Sequence, residues 1–121
     1  MSDYLLIQNV LPIKINSISS ELTDLLIDKD GLLEKVGSGI KAPIKSKILD
    51  LKGAIISQGW VDMHTHIYYG ATDLSIHPEQ IGMKTGVTSL VDCGSAGEAN
   101  FEGFKRYIAE SVNEKIFSFL N

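Results

Sequence analysis

Two histidines separated by one residue are the part of this sequence best suited to chemistry. His64 and His66 close the apolar stretch that begins at Trp60, and Asp62 precedes them at the same spacing. Residues two apart in an extended strand point to one face of the sheet, so these three side chains are predicted to share a face. Two imidazoles placed in this way can bind one metal ion, at about 2.0–2.1 Å per nitrogen for zinc. The Asp62 carboxylate could then orient one ring.

The histidine pair also fits a simpler interpretation, in which both rings satisfy hydrogen bonds at a strand end. We favour the metal site because two of the three histidines stand together, after a strand that Gly59 opens. His77 precedes Pro78 and is interpreted as a helix cap. Cys93 has no activating base close in sequence and is interpreted as a small buried residue. Asp92 is interpreted as a structural hydrogen-bonding residue.

The composition excludes several classes of partner. The chain has 121 residues, 44% of them hydrophobic and 21% charged, which is typical of a globular protein. A net charge of −4 gives no electrostatic reason to bind nucleic acid or an anionic membrane, and we predict neither partner. No apolar run reaches the roughly 20 residues that cross a bilayer. The single cysteine cannot form an internal disulfide, so we expect a cytoplasmic protein.

Residues 1–58 are predicted to form a β-rich subdomain. Asp30-Gly31 is a hairpin signal, since glycine accepts a positive φ at low cost. Pro12 should end or kink the first strand. Strands are predicted at residues 4–10, 25–27, 32–36, 48–51 and 54–57.

Residues 59–121 change to an alternation of strands and helices. Strands are predicted at residues 60–66, 87–93 and from about 116, with helices at 78–85 and 100–112. The spacing of the strands, about 28 residues, is typical of βαβ units in a parallel sheet. The helical face that should be buried consists of Phe101, Phe104, Ile108 and Val112. Residues 94–97 are predicted to be a loop, and Trp60 is predicted to pack in the core.

The number of predicted strands is too small for a closed barrel. Three parallel strands cannot close, and a complete β/α barrel typically needs about 250 residues. We therefore expect this chain to be the front part of a longer protein.

The stretch Gly59-Trp60-Val61-Asp62-Met63-His64-Thr65-His66, after a β-rich start and Lys52-Gly53, resembles the amidohydrolase superfamily. That family includes dihydroorotase-like enzymes, cytosine and adenine deaminases, and N-acyl amino acid deacetylases. Residues 86–97 and 119–121 are most similar to the amidohydrolase/deacetylase group. The resemblance covers the whole chain but only about the first third of such an enzyme.

The resemblance implies a fold of mixed class. An N-terminal composite β-sandwich subdomain (residues 1–58) would be followed by the first β/α units of a (β/α)8 TIM-like barrel (residues 59–121), truncated in or after strand three. His64 and His66 would bind a divalent metal at the mouth of the barrel, zinc being the first choice, with one or two ions in the complete enzyme. The family's other ligands come from later strands, so no catalytic residue is expected in this chain and the fragment alone should be inactive.

The implied function is hydrolysis of a C–N bond in an amide, a cyclic amide or an N-acyl compound by a metal-activated hydroxide. The substrate would be a small molecule. Positions that could contact it are Tyr68, Gly94, Ser95 and Asn121. Dihydroorotases have an arginine where this chain has Tyr68, and a tyrosine cannot form a bidentate ion pair with a carboxylate, which argues against that activity.

Two alternatives to this function remain open. The same scaffold supports deaminases and ester hydrolases, because a fold does not determine its substrate. A truncated, non-catalytic module that binds a partner through exposed strand edges is the alternative outside enzymes. Exposed edges and apolar helix faces also lead us to expect a homo-oligomer or a self-associating fragment.

Overall fold

The computed structural model describes residues 4–121, which divide into two compact units between Gln58 and Gly59. The first unit contains a six-stranded sheet and the second a three-stranded sheet. Within these described residues, no helix has the length and apolar character needed to cross a membrane. The assignment of the units to a composite β-sandwich and to part of a barrel stays a prediction.

The first unit is built around one long strand. Its strands are β1 (Tyr4–Lys14), β2 (Ser17–Ile18), β3 (Thr23–Ile27), β4 (Leu33–Gly37), β5 (Ser46–Asp50) and β6 (Ile55–Ile56). β1 pairs antiparallel with β2 and β3 and parallel with β5 and β6, while β4 continues the sheet from β3. The buried apolar side chains of this unit are Leu6, Val10 and Leu26. All the strands expected in this half are therefore present, although the parallel pairing of β5 and β6 with β1 was not predicted.

The prediction that Pro12 ends or kinks the first strand is wrong. β1 continues through Pro12, which pairs with Ile56, to Lys14. Proline cannot donate a hydrogen bond, but its carbonyl oxygen still accepts one from the Ser19 amide at 2.9 Å. The strand tolerates the proline because its neighbours at this point use only the acceptor.

The irregularity in β1 lies at Asn9 instead. Asn9 has φ 57°, a left-handed conformation that asparagine tolerates better than most residues. Its amide donates to the Oδ1 atom of the buried Asp24 at 3.1 Å, and the other carboxylate oxygen accepts from the Ile40 amide at 3.0 Å. The Asp24 side chain thus replaces backbone partners that the bulge takes away.

The hairpin predicted at Asp30-Gly31 is confirmed. Gly31 has φ 81°, and the turn joins β3 to β4. The Asp28 carboxylate accepts hydrogen bonds from the amides of Asp30 and Leu32 at 2.9 and 2.8 Å. These bonds satisfy the turn's backbone donors, as aspartate commonly does at the start of a turn.

The second unit has a parallel sheet in the order β7 (Trp60–Thr65), β8 (Val87–Ala96) and β9 (Lys115–Leu120). The parallel order predicted from the spacing of the strands is confirmed. Between β7 and β8 lie α1 (Pro78–Ile81) and a 3₁₀ turn, Met83–Thr85. Between β8 and β9 lie α2 (Phe101–Phe104) and a π-helical stretch, Lys105–Ala109.

The helix predicted at residues 78–85 is divided into two short segments in the structure. The break occurs at Gly82, and the Met83 amide donates to the Glu114 carboxylate at 2.7 Å instead of to a helical carbonyl. Another expectation is confirmed, because His77 caps α1 through its side chain. Gly86, with φ 87°, ends the segment. A side chain distant in sequence therefore divides this helix.

The second predicted helix is shorter than residues 100–112. Phe104 and Ile108 are buried against Ile67 and Leu90, as the spacing predicted. The helical backbone ends at Ala109, so Val112 does not belong to the helix. The last part of the helix, Lys105–Ala109, is π-helical, and its turns are wider than the α-helical turns on which the prediction rested.

The burial expected for Trp60 and Cys93 differs in the structure. Trp60 was predicted to pack in the core, but 58% of its surface is exposed. Cys93 is half-buried rather than fully buried, with its Sγ atom 3.6 Å from the Met63 carbonyl oxygen. The alternation of side chains along β7 predicts which face of the sheet Trp60 lies on, but it does not predict whether other residues cover that face.

Candidate metal centre

The two histidines lie side by side at the carboxyl end of a parallel strand. His64 is near the end of β7, and His66 is the first residue after it. Their ring centres are 5.5 Å apart, with an angle of 72° between the ring planes. The His64 side chain is exposed and that of His66 is half-buried, so both rings are open to an approaching group.

This spacing fits two ligands of one metal ion. Two imidazoles bound to one zinc ion at about 2.0–2.1 Å per nitrogen, in tetrahedral geometry, have ring centres roughly 5–6 Å apart. Across residues 4–121, no group of three or more His, Cys, Asp or Glu side chains is close enough to hold a metal ion. The described residues therefore supply at most two ligands from this pair, and the ligand role of His64 and His66 stays a prediction.

The sequence suggested that the Asp62 carboxylate orients an imidazole ring, but in the structure this carboxylate contacts the backbone instead. Its Oδ1 atom accepts a hydrogen bond from the backbone amide of His64 at 3.1 Å. The side chain that contacts the His66 ring is Ser95, whose Oγ atom lies 3.1 Å from Nδ1 of His66. Asp62 therefore shapes the backbone at the end of β7, and Ser95 contacts the ring.

Ser95 reaches His66 because β8 is longer than predicted. Residues 94–97 were expected to form a loop, but β8 continues to Ala96, which pairs with Leu120 of β9. The register shifts between Cys93 and Ala96, and Gly94 has φ 84°. A bulge of this kind re-aims a side chain without ending the strand, and here the re-aimed residue is Ser95.

A buried carboxylate joins the ends of β7 and β8. Asp92 is 0% exposed, and its Oδ2 atom accepts from the Ile67 amide at 2.8 Å. Its Oδ1 atom accepts from the Ser95 amide at 2.7 Å. The structural hydrogen-bonding role expected of Asp92 is therefore present, and one side chain holds the residue after His66 and the residue that contacts His66.

The other positions predicted to contact substrate have different surroundings. The Tyr68 hydroxyl donates to the Asn100 carbonyl oxygen at 3.3 Å, and its ring packs edge-on against Phe104 at 5.4 Å. Asn121 lies beside the bulge, where its amide donates to the Ala96 carbonyl oxygen at 3.0 Å. The structure brings Gly94, Ser95 and Asn121 together at the end of β8, and it gives Tyr68 a packing role on α2. Their contact with substrate stays a prediction.

Sequence reasoning missed the contact between Ser95 and His66. One signal pointed towards it: Asp92 precedes Ser95 by three residues, and aspartate side chains commonly accept hydrogen bonds from nearby backbone amides. That pattern predicts a turn at Ser95, which the structure shows as a bulge. It carries no information about which strand the serine faces.

Comparison with curated proteins identifies relatives of this chain. A deacetylase from Agrobacterium fabrum is 51% identical over 118 residues, which are 97% of this chain and 29% of the relative. A deacetylase from Brucella anthropi has the same identity and coverage. The chain thus spans less than a third of the length of the curated relatives that it matches. No family model matches the sequence.

Solved structures agree with the sequence comparison. A crystal structure described as a dihydroorotase superposes with a TM-score of 0.84 and 47% identity, over 99% of this chain and 31% of that chain. The chain belongs to the amidohydrolase superfamily. An adenine deaminase superposes with a TM-score of 0.79 and 26% identity, over all of this chain and 31% of its own. This amidohydrolase-superfamily chain is therefore similar to about 31% of each of two proteins named for different substrates.

Proposed function

We propose that the protein is a metal-dependent hydrolase that acts on a C–N bond other than a peptide bond in a small molecule. His64 and His66 bind a divalent metal ion, with zinc as the first choice. The observation that carries this proposal is the adjacent placement of the two imidazoles at the carboxyl end of β7, at a separation that suits one ion. The similarity to deacetylases over nearly the whole chain supports the class of bond.

The residues of this chain have distinct tasks in that proposal. A bound zinc ion supplies Lewis-acid polarisation of the substrate carbonyl and lowers the pKa of a water molecule. His64 and His66 bind the ion through imidazole nitrogens. The Asp62 carboxylate accepts a hydrogen bond from the His64 amide and so stabilises the backbone conformation at the end of β7. No described side chain of this chain is assigned the general base, since each acid near the pair is engaged by backbone amides.

The fold of the whole protein enters the same proposal. The three parallel strands β7, β8 and β9 are the first strands of a TIM-like barrel, and the sheet of residues up to 58 is part of a β-sandwich. Active sites of such barrels lie at the carboxyl ends of the strands, where the histidine pair is found. Further ligands and the base then come from other parts of the protein. The outer edges of β7 and β9 would pair with further strands or, in this chain alone, with a second copy.

The test compares two histidine substitutions. In the whole protein, where other parts supply the further ligands and the base, His64→Ala should lower the zinc content and abolish the release of acetate from N-acetyl amino acids. His77→Ala is the matched control, because that histidine caps α1 and lies outside the pair. Removal of metal by a chelator should abolish the activity, and added zinc should restore it. Equal zinc content in wild type and His64→Ala would exclude the proposed site.

A deaminase is the second candidate, and the superposition on an adenine deaminase favours it. The two candidates differ in the product that the protein releases. Incubation with adenine should yield ammonia if the second candidate holds, whereas N-acetyl amino acids should yield acetate if the first holds. Both activities would depend on His64, so the product and not the variant separates them.

A further inference from the structure

We propose that Ser95 is a positioning residue for His66: its hydroxyl oxygen accepts the Nδ1–H of the ring and leaves the Nε2 lone pair for the metal ion. This inference rests on the proposed function, because it assigns which nitrogen of His66 is the ligand. The observation behind it is the 3.1 Å separation between Ser95 Oγ and His66 Nδ1. In a neutral imidazole only one nitrogen carries hydrogen, and a partner at one nitrogen determines the character of the other.

The Ser95 hydroxyl is held in place by more than its own rotamer. Ser95 is 9% exposed, and its amide donates to Asp92 Oδ1 at 2.7 Å. The other oxygen of the same carboxylate accepts from the Ile67 amide at 2.8 Å. Asp92 therefore ties the backbone next to His66 to the backbone of Ser95, and so holds the two residues side by side.

The direction of the bond follows from what each nitrogen can do. A serine hydroxyl can donate or accept. If it donated to Nδ1, the hydrogen would sit on Nε2 and that nitrogen could not bind a metal ion. If it accepts from Nδ1, the Nε2 lone pair is free to bind a metal ion. Partners of this kind, on the nitrogen opposite the metal, orient metal-binding histidines in many proteins.

The experiment measures the tautomer of the His66 ring directly. The protein is labelled with ¹⁵N-histidine, and the nitrogen chemical shifts report which nitrogen carries hydrogen in each of the three rings. In the metal-free protein, Ser95→Ala should lower the ratio of the Nδ1–H to the Nε2–H tautomer of His66 by about fivefold, the effect of one ordinary hydrogen bond. The ratio for His64 should stay the same. Ser89→Ala, on the same strand, is the matched control and should change neither ring.

Zinc titration gives a second readout. Ser95→Ala should weaken zinc binding by about 10–100-fold, as loss of such partners does elsewhere. In the wild type, with or without zinc, the Nδ1–H of His66 should exchange with water more slowly than the ring N–H of the exposed His64, a measurement that needs no variant. An unchanged tautomer ratio in folded Ser95→Ala, or fast exchange at His66, would overturn the inference.

The two proposals fail in different ways. If wild type binds no zinc, the proposed function fails, and the tautomer ratio still decides the role of Ser95. If wild type binds zinc and Ser95→Ala binds it equally well with an unchanged ratio, only the inference about Ser95 fails. Thermal unfolding of each variant shows whether Ser95→Ala is folded, and the exchange rate in wild type decides the question if it is not.

Discussion

The completely buried Asp92 carboxylate accepts a hydrogen bond from the Ile67 backbone amide at 2.8 Å. This bond joins β8 to the residue that follows the second histidine of the pair. Burial of a carboxylate is costly unless its oxygens are satisfied, and here both oxygens accept amide hydrogens. The bond therefore connects the stability of the second unit to the geometry of the candidate site.

Asp92→Ala should destabilise the second unit by about 3 kcal/mol. The substitution leaves two buried amides without acceptors, and each unsatisfied group costs about 1–3 kcal/mol. Urea unfolding followed by circular dichroism measures the effect, with Asp73→Ala as the control, since Asp73 is exposed. A loss below about 0.5 kcal/mol would contradict the role given to this carboxylate.

Gly82→Ala should also destabilise the second unit, by about 1–3 kcal/mol, because a Cβ atom there would overlap the Glu114 carboxylate. The side chain would have to give up its bond to the Met83 amide. Gly37→Ala is the matched control: nothing lies within 4 Å of a Cβ at that position, and φ is not positive. Equal midpoints of thermal unfolding for the two variants would show that Glu114 moves aside freely.

Phe104→Ala should cost about 3–5 kcal/mol of unfolding free energy, the usual effect of removing a buried phenylalanine. Phe104 is 1% exposed and contacts the residues that hold α2 against the sheet. Tyr107→Ala, a similar truncation at a side chain 68% exposed, should change the free energy little. Both are measured by urea unfolding, and comparable losses would mean that the core of this unit lies elsewhere.

The pKa of Asp50 should lie below its ordinary value of 3.8, chiefly because the Asn9 side-chain amide donates to the carboxylate and also because the Lys52 amide does. A depressed pKa contributes stability that is present above about pH 3.8 and is lost as the pH falls through the folded value. Asn9→Gly removes the side-chain donor but keeps a residue that accepts positive φ. The pKa of Asp50 should then rise towards 3.8, as measured by NMR titration of the carboxyl carbon.

Asn16→Gly is the control for that titration. Asn16 is another asparagine with positive φ, 65°, in the turn between β1 and β2. The same substitution there should leave the Asp50 titration unchanged. An upward shift in both variants would point to a general effect on the first unit rather than to the hydrogen bond from Asn9.

The sequence alone determined the features that depend on residues close together in the chain. Glycine at residue 31, after Asp30, specified the hairpin, and residues two apart in an extended strand placed His64 and His66 on one face. The regular spacing of apolar stretches specified three parallel strands. Each of these follows from local backbone geometry, so no knowledge of distant neighbours was needed.

Tertiary structure alone decided which distant groups meet. Glu114 takes the Met83 amide and divides a helix that the local pattern made continuous. The bulge after Cys93 turns Ser95 towards His66, a contact across 29 positions of sequence. Local propensity is weak compared with burial and with the cost of an unpaired polar group, so contacts of this kind override it. The histidine pair could be found by reading along the chain, whereas the group that orients one of its rings required the packing of β8 beside β7.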